Sequence, residues 1–344
     1  MKKQRQISNG VREFFSKKFE PRKTKASHLR NLALAIRENK KLAKDLLSLP
    51  QEAARACRVC GGKNQHSVLK VNGFLWVHCP SCDHWYKKHM PRADLMEARQ
   101  KKAPLEIYLT EKDMSYRLRE IAAPKVDFAL KFLRKQKGRW LDLGTGLGDV
   151  PYVARKRGFK VEATELSPSF VSFAKKRFNV EATAINLQRF YEKWRRDGSK
   201  PFDVISAFGY FDLVPAPVEE MKICKEMLSR RSLLVINQPN HDSMTGMLAR
   251  WRPETSVRVM APNNYSYYSK KSLQKALELA GFKVLGVWWY GMDIHEVAVR
   301  FLELNPAFGK SEAYDFLYEN FNELQKVIDQ KRRSDFVMMC AQKI

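Results

Sequence analysis

Residues 139–167 read RWLDLGTGLGDVPYVARKRGFKVEATELS. Trp140, Leu141 and Leu143 make a short apolar strand that runs into Gly144-Thr145-Gly146-Leu147-Gly148. Asp149 offers an N-cap to the helix that follows, and Pro151 falls in its first turn, where a missing N–H costs nothing. Gly158 closes the helix. Lys160 to Thr164 form a second strand with Glu165 at its carboxyl end. A parallel βαβ unit puts the glycine loop and that acid on one edge of a sheet, where open α/β folds bind ligands.

The chemistry follows from this placement. Glycines let the backbone turn tightly and let a ligand come close. A carboxylate roughly 20 residues past the first glycine can accept hydrogen bonds from both hydroxyls of a ribose. The spacing therefore predicts a nucleoside-containing cofactor. The pattern is G-x-G-x-G rather than the dinucleotide G-x-G-x-x-G, because Asp149 stands where the last glycine would be, and the G-K-[ST] ending of a phosphate loop is missing. The site is built for a ribose and an amino-acid tail, not a pyrophosphate.

LDLGTGLGD followed by VEATELS is similar to the cofactor loop of class I S-adenosylmethionine (SAM)-dependent methyltransferases. The resemblance implies an α/β fold with a Rossmann-like seven-stranded sheet. It implies SAM as cofactor, held by Asp142, Gly144, Thr145, Gly146, Gly148, Glu165, Leu166, Asn186, Leu187 and Phe208. The family usually has an acid or amide after the third strand that bonds the adenine amine, beside an apolar residue. Asn186 could do this through its amide oxygen; a turn-forming Asn is the alternative. Tyr116 and Arg117, on a helix expected over 112–135, could reach the cofactor's carboxylate or could be structural.

A second motif precedes this domain: CRVCGGKNQHSVLKVNGFLWVHCPSCDHWY, residues 57–86. Cys57-x-x-Cys60 and Cys79-x-x-Cys82 flank a hairpin in which Val68, Leu69 and Val71 run to an Asn72-Gly73 turn and Phe74 to Val77 return. Four thiolates gathered by two knuckles are the layout of a zinc ribbon, with Zn²⁺ in a structural role because no coordination position stays open. His66, His78, His84 and His89 lie nearby and could substitute as ligands. Cys224 and Cys340 fall in apolar patterns and read as inert core. The ribbon and the following WYKKHMPRADLMEARQKKAPLEIYL look like a methyltransferase subset with an N-terminal zinc ribbon. Many of its members act on sugars, envelope glycans or secondary metabolites, and the resemblance runs from Cys57 to the C-terminus.

The chain has 344 residues, 44% of them hydrophobic, and a formal net charge of +26. Three parts are expected: a basic helical extension over 1–50, the zinc ribbon over 51–92 and the methyltransferase domain over 93–344. Residues 1–50 carry fourteen Lys and Arg against four Asp and Glu. They read as a flexible arm of about 25 residues and a helix from Ser27 to Leu49, with Leu29, Leu32, Ala33, Ile36, Ala43, Leu46 and Leu47 near one face. The charge favours an anionic partner: nucleic acid, anionic lipid, or an acidic glycan or metabolite. No apolar run reaches the ~18 residues of a membrane span. MKKQRQISNGVREFF has no apolar h-region, so a cytoplasmic location is expected, with peripheral membrane contact open to the basic N-terminus.

Along the rest of the chain, 168–178 and 218–228 read as helices and 180–185, 202–207 and 232–237 as the third to fifth strands. FGYFDLVPAP follows the fourth strand, where the resembling enzymes often carry an acid-histidine pair; here Asp212-Leu213 stands instead. Asn237 to Asn240, NQPN, superficially resembles a nucleic-acid methyltransferase loop but follows the wrong strand. Residues 241–268 read as a long irregular segment over the acceptor, lined by His241, Arg250, Trp251, Arg252, Arg258, Asn264, Tyr265, Tyr267 and Tyr268. Ser269 caps a helix, 282–290 is a sixth strand, 311–330 a helix, and 334–343 the last strand. Asp212, His241 and His295 are the candidates for a general base, which is needed only if the acceptor loses a proton. Three functions compete: methyl transfer to a small molecule or glycan, polar and anionic; methyl transfer to RNA or another nucleic acid gripped by ribbon and arm; and a non-catalytic binding protein on the same fold.

Overall fold

The computed structural model describes residues 5–8, 10–21, 32–66, 68–102, 111–134, 137–253 and 259–344. Positions 27–31 of the expected N-terminal helix, with Leu29, fall outside the described residues, as do residues 103–110 after the ribbon, Lys135 and Arg258.

Within the stretch read as a flexible arm, the described residues hold a hairpin, β1 (Arg5–Ser8) and β2 (Val11–Phe15), paired antiparallel from Arg5↔Phe14 to Ser8↔Val11. Gly10 turns it at φ 75°. Helix α1 (Leu32–Leu47) buries Ala43 and Leu46. The Gln51 amide closes its end by donating to the carbonyls of Leu46 and Leu49 at 2.7 and 2.8 Å. Next come β3 (Gln51–Ala53), β4 (Val68–Val71), β5 (Phe74–Cys79), β6 (His84–Lys87) and β7 (His89–Pro91). Asn72 and Gly73 join β4 to β5 with φ of 48° and 85°, the paired left-handed residues of a tight hairpin.

Helix α2 (Ala93–Lys101) leads to α3 (Glu111–Arg117), which continues through a π turn, Leu118–Ala122, into α4 (Ala123–Leu130). Pro124 has no N–H to donate, and the widened turn accommodates it. The parallel βα units follow: β8 (Gly138–Leu143), α5 (Asp149–Lys156), β9 (Phe159–Thr164), α6 (Pro168–Phe178), β10 (Ala182–Thr183), α7 (Leu187–Arg196), β11 (Phe202–Phe208), α8 (Pro217–Met227) and β12 (Leu228–Pro239). β8 pairs with β9 from Gly138↔Phe159 to Leu143↔Thr164 and with β11 at Leu141↔Ile205. Trp140, Leu141, Leu143, Val204, Ile205 and Ala207 are fully buried, as a parallel strand covered on both faces requires.

The C-terminal part adds α9 (Met244–Trp251), β13 (Ser266–Tyr267), α10 (Lys270–Leu279), β14 (Phe282–Tyr290), α11 (Asp293–Leu304), α12 (Glu312–Glu319), α13 (Phe321–Gln330) and β15 (Phe336–Lys343). Three readings are corrected. The segment 241–268 holds a helix and a strand, with Ser243 capping α9 by accepting the Gly246 N–H at 2.9 Å. The single helix expected over 311–330 is two, broken at Asn320. The third strand shrinks to Ala182–Thr183.

The chain divides into two compact units. One comprises 1–92, 238–273 and 287–338, and the other 93–237, 274–286 and 339–344. Residues 1–92 fall wholly in the first unit, and residues 93–344 contribute to both. In the second unit the sheet order is β10-β9-β8-β11-β12, then that unit's parts of β15 and β14. The last strand thus inserts between the fifth and the sixth, and the expected seven-stranded, Rossmann-like sheet is present. In the first unit β1 and β2 lie beside residues 287–290 of β14, with the Ser16 N–H donating to the Trp289 carbonyl at 2.8 Å. That unit also holds the sheet β13-β6-β5-β4 and the pair β3-β7. No helix among the described residues is long and apolar enough to cross a membrane.

Candidate functional site

The loop between β8 and α5 is held open by three glycines in the left-handed region, Gly144, Gly146 and Gly148, at φ of 63°, 55° and 81°. The N-cap of α5 is Gly148, which corrects the reading of Asp149 as cap. A Cβ on Gly148 would lie 2.7 Å from that of Ala174 on α6, so the residue must lack one for the two helices to pack. Asp149 is instead the first helical residue, where the helix dipole favours an acid. It is buried and pairs with Arg117 at 2.7 Å. Glu165 is tied to the same loop: one carboxylate oxygen accepts the Gly146 N–H at 2.9 Å and the other the Ser167 N–H at 3.0 Å.

A cavity of about 250 Å³ opens against this loop. Its wall carries Asp142, Gly144, Thr145, Gly146, Leu147, Asp149 and Val150 from the loop region, Arg117, Ile121 and Lys125 from the helical run α3–α4, and Phe170 and Phe208. Charges of both signs thus face one enclosure. Burial pushes the Asp142 carboxyl up to about 7, against the Ser206 hydroxyl, which donates to it. Ser206 in turn accepts the Trp140 indole N–H at 2.7 Å. Burial, with Arg117 nearby, pulls the Lys125 amine down to about 8. Lys125 also sits 4.8 Å from the centre of the Phe208 ring.

Five of the ten residues expected at the cofactor line this cavity: Asp142, Gly144, Thr145, Gly146 and Phe208. Glu165 and Gly148 are not in its wall: Glu165 accepts the Gly146 N–H, and Gly148 packs against Ala174. Leu166 and Leu187 are not in its wall, and neither is Asn186. The Asn186 amide oxygen expected for the adenine amine caps α7, accepting the Arg189 N–H at 2.9 Å, and its NH₂ donates to Glu97 at 2.7 Å. Lys125, Ile121 and Phe170 escaped the sequence reading. The signal for Lys125 was its place eight residues after Arg117 on one helical run, close to the same face.

Beside Gly144 stands Tyr210, whose ring would lie 3.1 Å from a Cβ built on that glycine. Its hydroxyl donates to Glu220 at 2.7 Å, and burial raises the Glu220 carboxyl to about 7. Asp212, two residues on, is buried in the same unit. The other two general-base candidates belong to the first unit. His295 is buried on α11 with Nδ1 2.8 Å from the Tyr318 hydroxyl. His241 has Nε2 2.9 Å from the Asp83 carbonyl oxygen.

The four ribbon cysteines converge. The Sγ atoms of Cys57 and Cys82 are 3.5 Å apart, those of Cys60 and Cys79 are 3.6 Å apart, and all four lie within 4.8 Å of one another. Zn–S bonds of about 2.3 Å make tetrahedral S···S edges of about 3.8 Å, so the cluster has the size of a zinc shell. The contact with Cys82 holds the Cys57 thiol well below its ordinary value. No histidine joins the cluster among the described residues. His84 is fully buried, with Nε2 3.2 Å from the Ser266 hydroxyl, and burial pushes its imidazole well down.

A family model described as a methyltransferase domain matches residues 114–287. No curated protein matches the chain. Among solved structures, a SAM-dependent methyltransferase from Thermotoga maritima is 18% identical, with 68% of this chain and 95% of that chain covered at a TM-score of 0.44. A SAM-dependent methyltransferase from Archaeoglobus fulgidus is 14% identical over 67% and 97% of the two chains, with a TM-score of 0.46. Magnesium protoporphyrin IX methyltransferase from Synechocystis PCC 6803, with S-adenosylhomocysteine bound, is 9% identical over 73% and 94%, with a TM-score of 0.45.

Proposed function

The chain belongs to the methyltransferase-domain family, and we propose that it is a SAM-dependent methyltransferase acting on a polar, anionic small molecule or glycan, with SAM held in the cavity at the glycine loop. The observation that carries the cofactor placement is the cavity wall itself, which combines Arg117 and Lys125 with a glycine loop pinned to Glu165. The two cations suit the carboxylate of an amino-acid tail. The acid at the end of β9 suits ribose hydroxyls. When bound, SAM supplies an electrophilic methyl on a sulfonium. The protein's part is to orient the acceptor and, where the acceptor is a hydroxyl or carbon acid, to take up its proton. The net charge of +26 supports an anionic acceptor. The Cys57, Cys60, Cys79 and Cys82 cluster fits a structural Zn²⁺, since four thiolates fill a tetrahedral shell.

The test is calorimetric titration of the purified chain with S-adenosylhomocysteine, followed by SAM turnover assays on pooled anionic glycans, small-molecule extracts and RNA. Micromolar binding and turnover confined to the first two pools support the reading. Methyl incorporation into RNA, with steep salt dependence, would replace the acceptor class. Absence of binding by folded protein would overturn the cofactor site.

A further inference from the structure

We propose that His78, Asp83 and His241 bind a second ion, a divalent first-row transition metal with coordination positions open to solvent. The inference starts from a comparison of the two cysteine knuckles. In each, the residue after the second cysteine folds back onto the first: the Gly61 N–H donates to the Cys57 carbonyl at 3.0 Å, and the Asp83 N–H to the Cys79 carbonyl at 2.8 Å. Both residues are left-handed, Gly61 at φ 71° and Asp83 at φ 61°. Glycine takes this conformation freely, whereas a residue with a Cβ pays on the order of 1 kcal/mol for it. The second knuckle therefore carries a carboxylate where the first carries glycine, a position Asp tolerates because its short polar side chain bonds locally, here to His78.

That side chain draws two imidazoles together. Its Oδ1 lies 2.9 Å from Nε2 of His78, at the end of β5, and 3.4 Å from Nε2 of His241, which follows β12 by two residues. All three ligand atoms lie within 4.8 Å of one another. Metal bonds of about 2.1 Å to nitrogen and oxygen place neighbouring donors about 3.0 Å apart in an octahedral shell and about 3.4 Å apart in a tetrahedral one. The two measured edges span that interval. Two imidazoles and one carboxylate select first-row transition ions over Mg²⁺ or Ca²⁺, which take oxygen donors.

The rings are held in place from outside. His78 lies against Trp85 with centroids 5.1 Å apart, and His241 against Tyr267 at 6.0 Å. The His241 backbone is fixed on both sides, its N–H donating to the Tyr268 carbonyl at 2.6 Å and its carbonyl accepting from Arg250 at 2.5 Å. Such fixing of ligands is what a metal site requires. Nε2 of His241 is also 2.9 Å from the Asp83 carbonyl oxygen, a contact that an entering ion would replace. The His241 side chain is 7% exposed, but those of His78 and Asp83 are 21% and 32% exposed. Water or an oxygen anion can therefore reach the ion from one side, as in sites with three protein ligands and an open position.

Plasma emission analysis of the full-length chain dialysed against Zn²⁺, and visible spectra of the Co²⁺-loaded chain, test the site. The parent is expected to hold two ions per chain, and Asp83→Asn and His241→Gln one each. The thiolate-to-cobalt charge-transfer band reads the cysteine cluster separately and is expected in all three proteins. Asparagine tolerates the left-handed backbone, and His241 lies outside the ribbon, so the two variants stand independently. A parent with one ion and a full thiolate band overturns the proposal, as does a second ion retained by both variants. Loss of the thiolate band in the parent would instead count against the zinc reading of the cysteines.

Discussion

Glu165 accepts the N–H of Gly146 at 2.9 Å, so the acid at the end of β9 is bound to the middle glycine of the loop after β8. The carboxylate offers about four lone-pair sites. One is taken by Gly146 and one by Ser167, which leaves acceptors for a ribose diol.

Replacing Glu165 by Ala removes a charged acceptor and frees Gly146 at once. The expected effect is a loss of about 1–3 kcal/mol in S-adenosylhomocysteine affinity, roughly 5- to 150-fold. Calorimetry on parent and variant reads it directly. An unchanged dissociation constant in a folded variant would remove Glu165 from the cofactor site.

Arg117 and Lys125 face the same cavity as Asp142 and Asp149, and two of these four groups titrate near neutrality, Asp142 at about 7 and Lys125 at about 8. Burial, then Arg117, lowers the Lys125 amine to about 8. A cofactor carboxylate beside it favours the charged amine, so binding takes up a proton where free Lys125 is neutral. S-adenosylhomocysteine affinity is therefore expected to hold up to about pH 8 and to fall above it, by up to tenfold per pH unit. Lys125→Met should flatten that slope, and Arg117→Met should weaken binding at every pH. A parent whose affinity is level from pH 7 to 9.5 would contradict the assignment.

The folding linkage of Lys125 has its own sign. Its folded pKa is depressed below the unfolded value of about 10.4, so between about 8 and 10.4 the unfolded chain binds more protons. This group thus adds stability as pH rises through that window. Urea midpoints measured against pH should show the gain in the parent and lose it in Lys125→Met.

How far the sequence carried this site depends on how local its parts are. The glycine loop and Glu165 belong to one βαβ segment, so spacing alone placed them. The cysteine pairs were equally readable, because a knuckle is closed by residues within a few positions of one another. Of the cavity's two cations, Arg117 was named from the sequence and Lys125 was not, because the π turn over Leu118–Ala122 shifts the face on which the later residue falls. Asn186 was ambiguous because the amide oxygen that could meet a base was equally suited to cap α7, as it does here. Helix α11 was announced by Ile294, Val297, Ala298 and Phe301 at helical spacing but was not read. The hairpin β1–β2 had no such signal: its first strand is the polar RQIS, and its place beside β14 comes from residues far along the chain. Lys87 shows the limit most clearly. It is fully buried, donates to the carbonyls of Ala261 and Pro262 at 3.0 and 2.5 Å, and lies 3.9 Å from the centre of the Phe74 ring. No local pattern distinguishes such a lysine from one on the surface.

Gly148 tests the packing behind the loop rather than its chemistry. Its left-handed φ of 81° and the 2.7 Å approach of Ala174 both exclude a side chain. Gly148→Ala should cost about 1–3 kcal/mol of stability from backbone strain and overpacking together. Chemical denaturation measures this, and Gly146→Ala is the control. Nothing lies within 4 Å of a Cβ at Gly146, so that variant carries backbone strain alone. Equal losses at the two positions would show that contact with α6 contributes nothing.

The last prediction concerns the cysteine cluster. The hairpin β4–β5 and strand β6 bury Phe74 and Trp76 on one face and Tyr86 on the other, but the two knuckles at one end are closed by few hydrogen bonds of their own. A metal bound only by the folded knuckles contributes its binding free energy to folding. Stripping Zn²⁺ with a strong chelator should therefore open residues 57–86 to proteolysis while the sheet around β8 stays protected, because its parallel strands are buried without reference to the thiols. Cys79→Ser should reproduce the cleavage pattern without chelator. Limited proteolysis with mass-spectrometric mapping distinguishes the outcomes. Cleavage confined to the ribbon supports a structural zinc, whereas an unchanged pattern in both chelated parent and Cys79→Ser would mean that the four thiols hold no ion on which the fold depends.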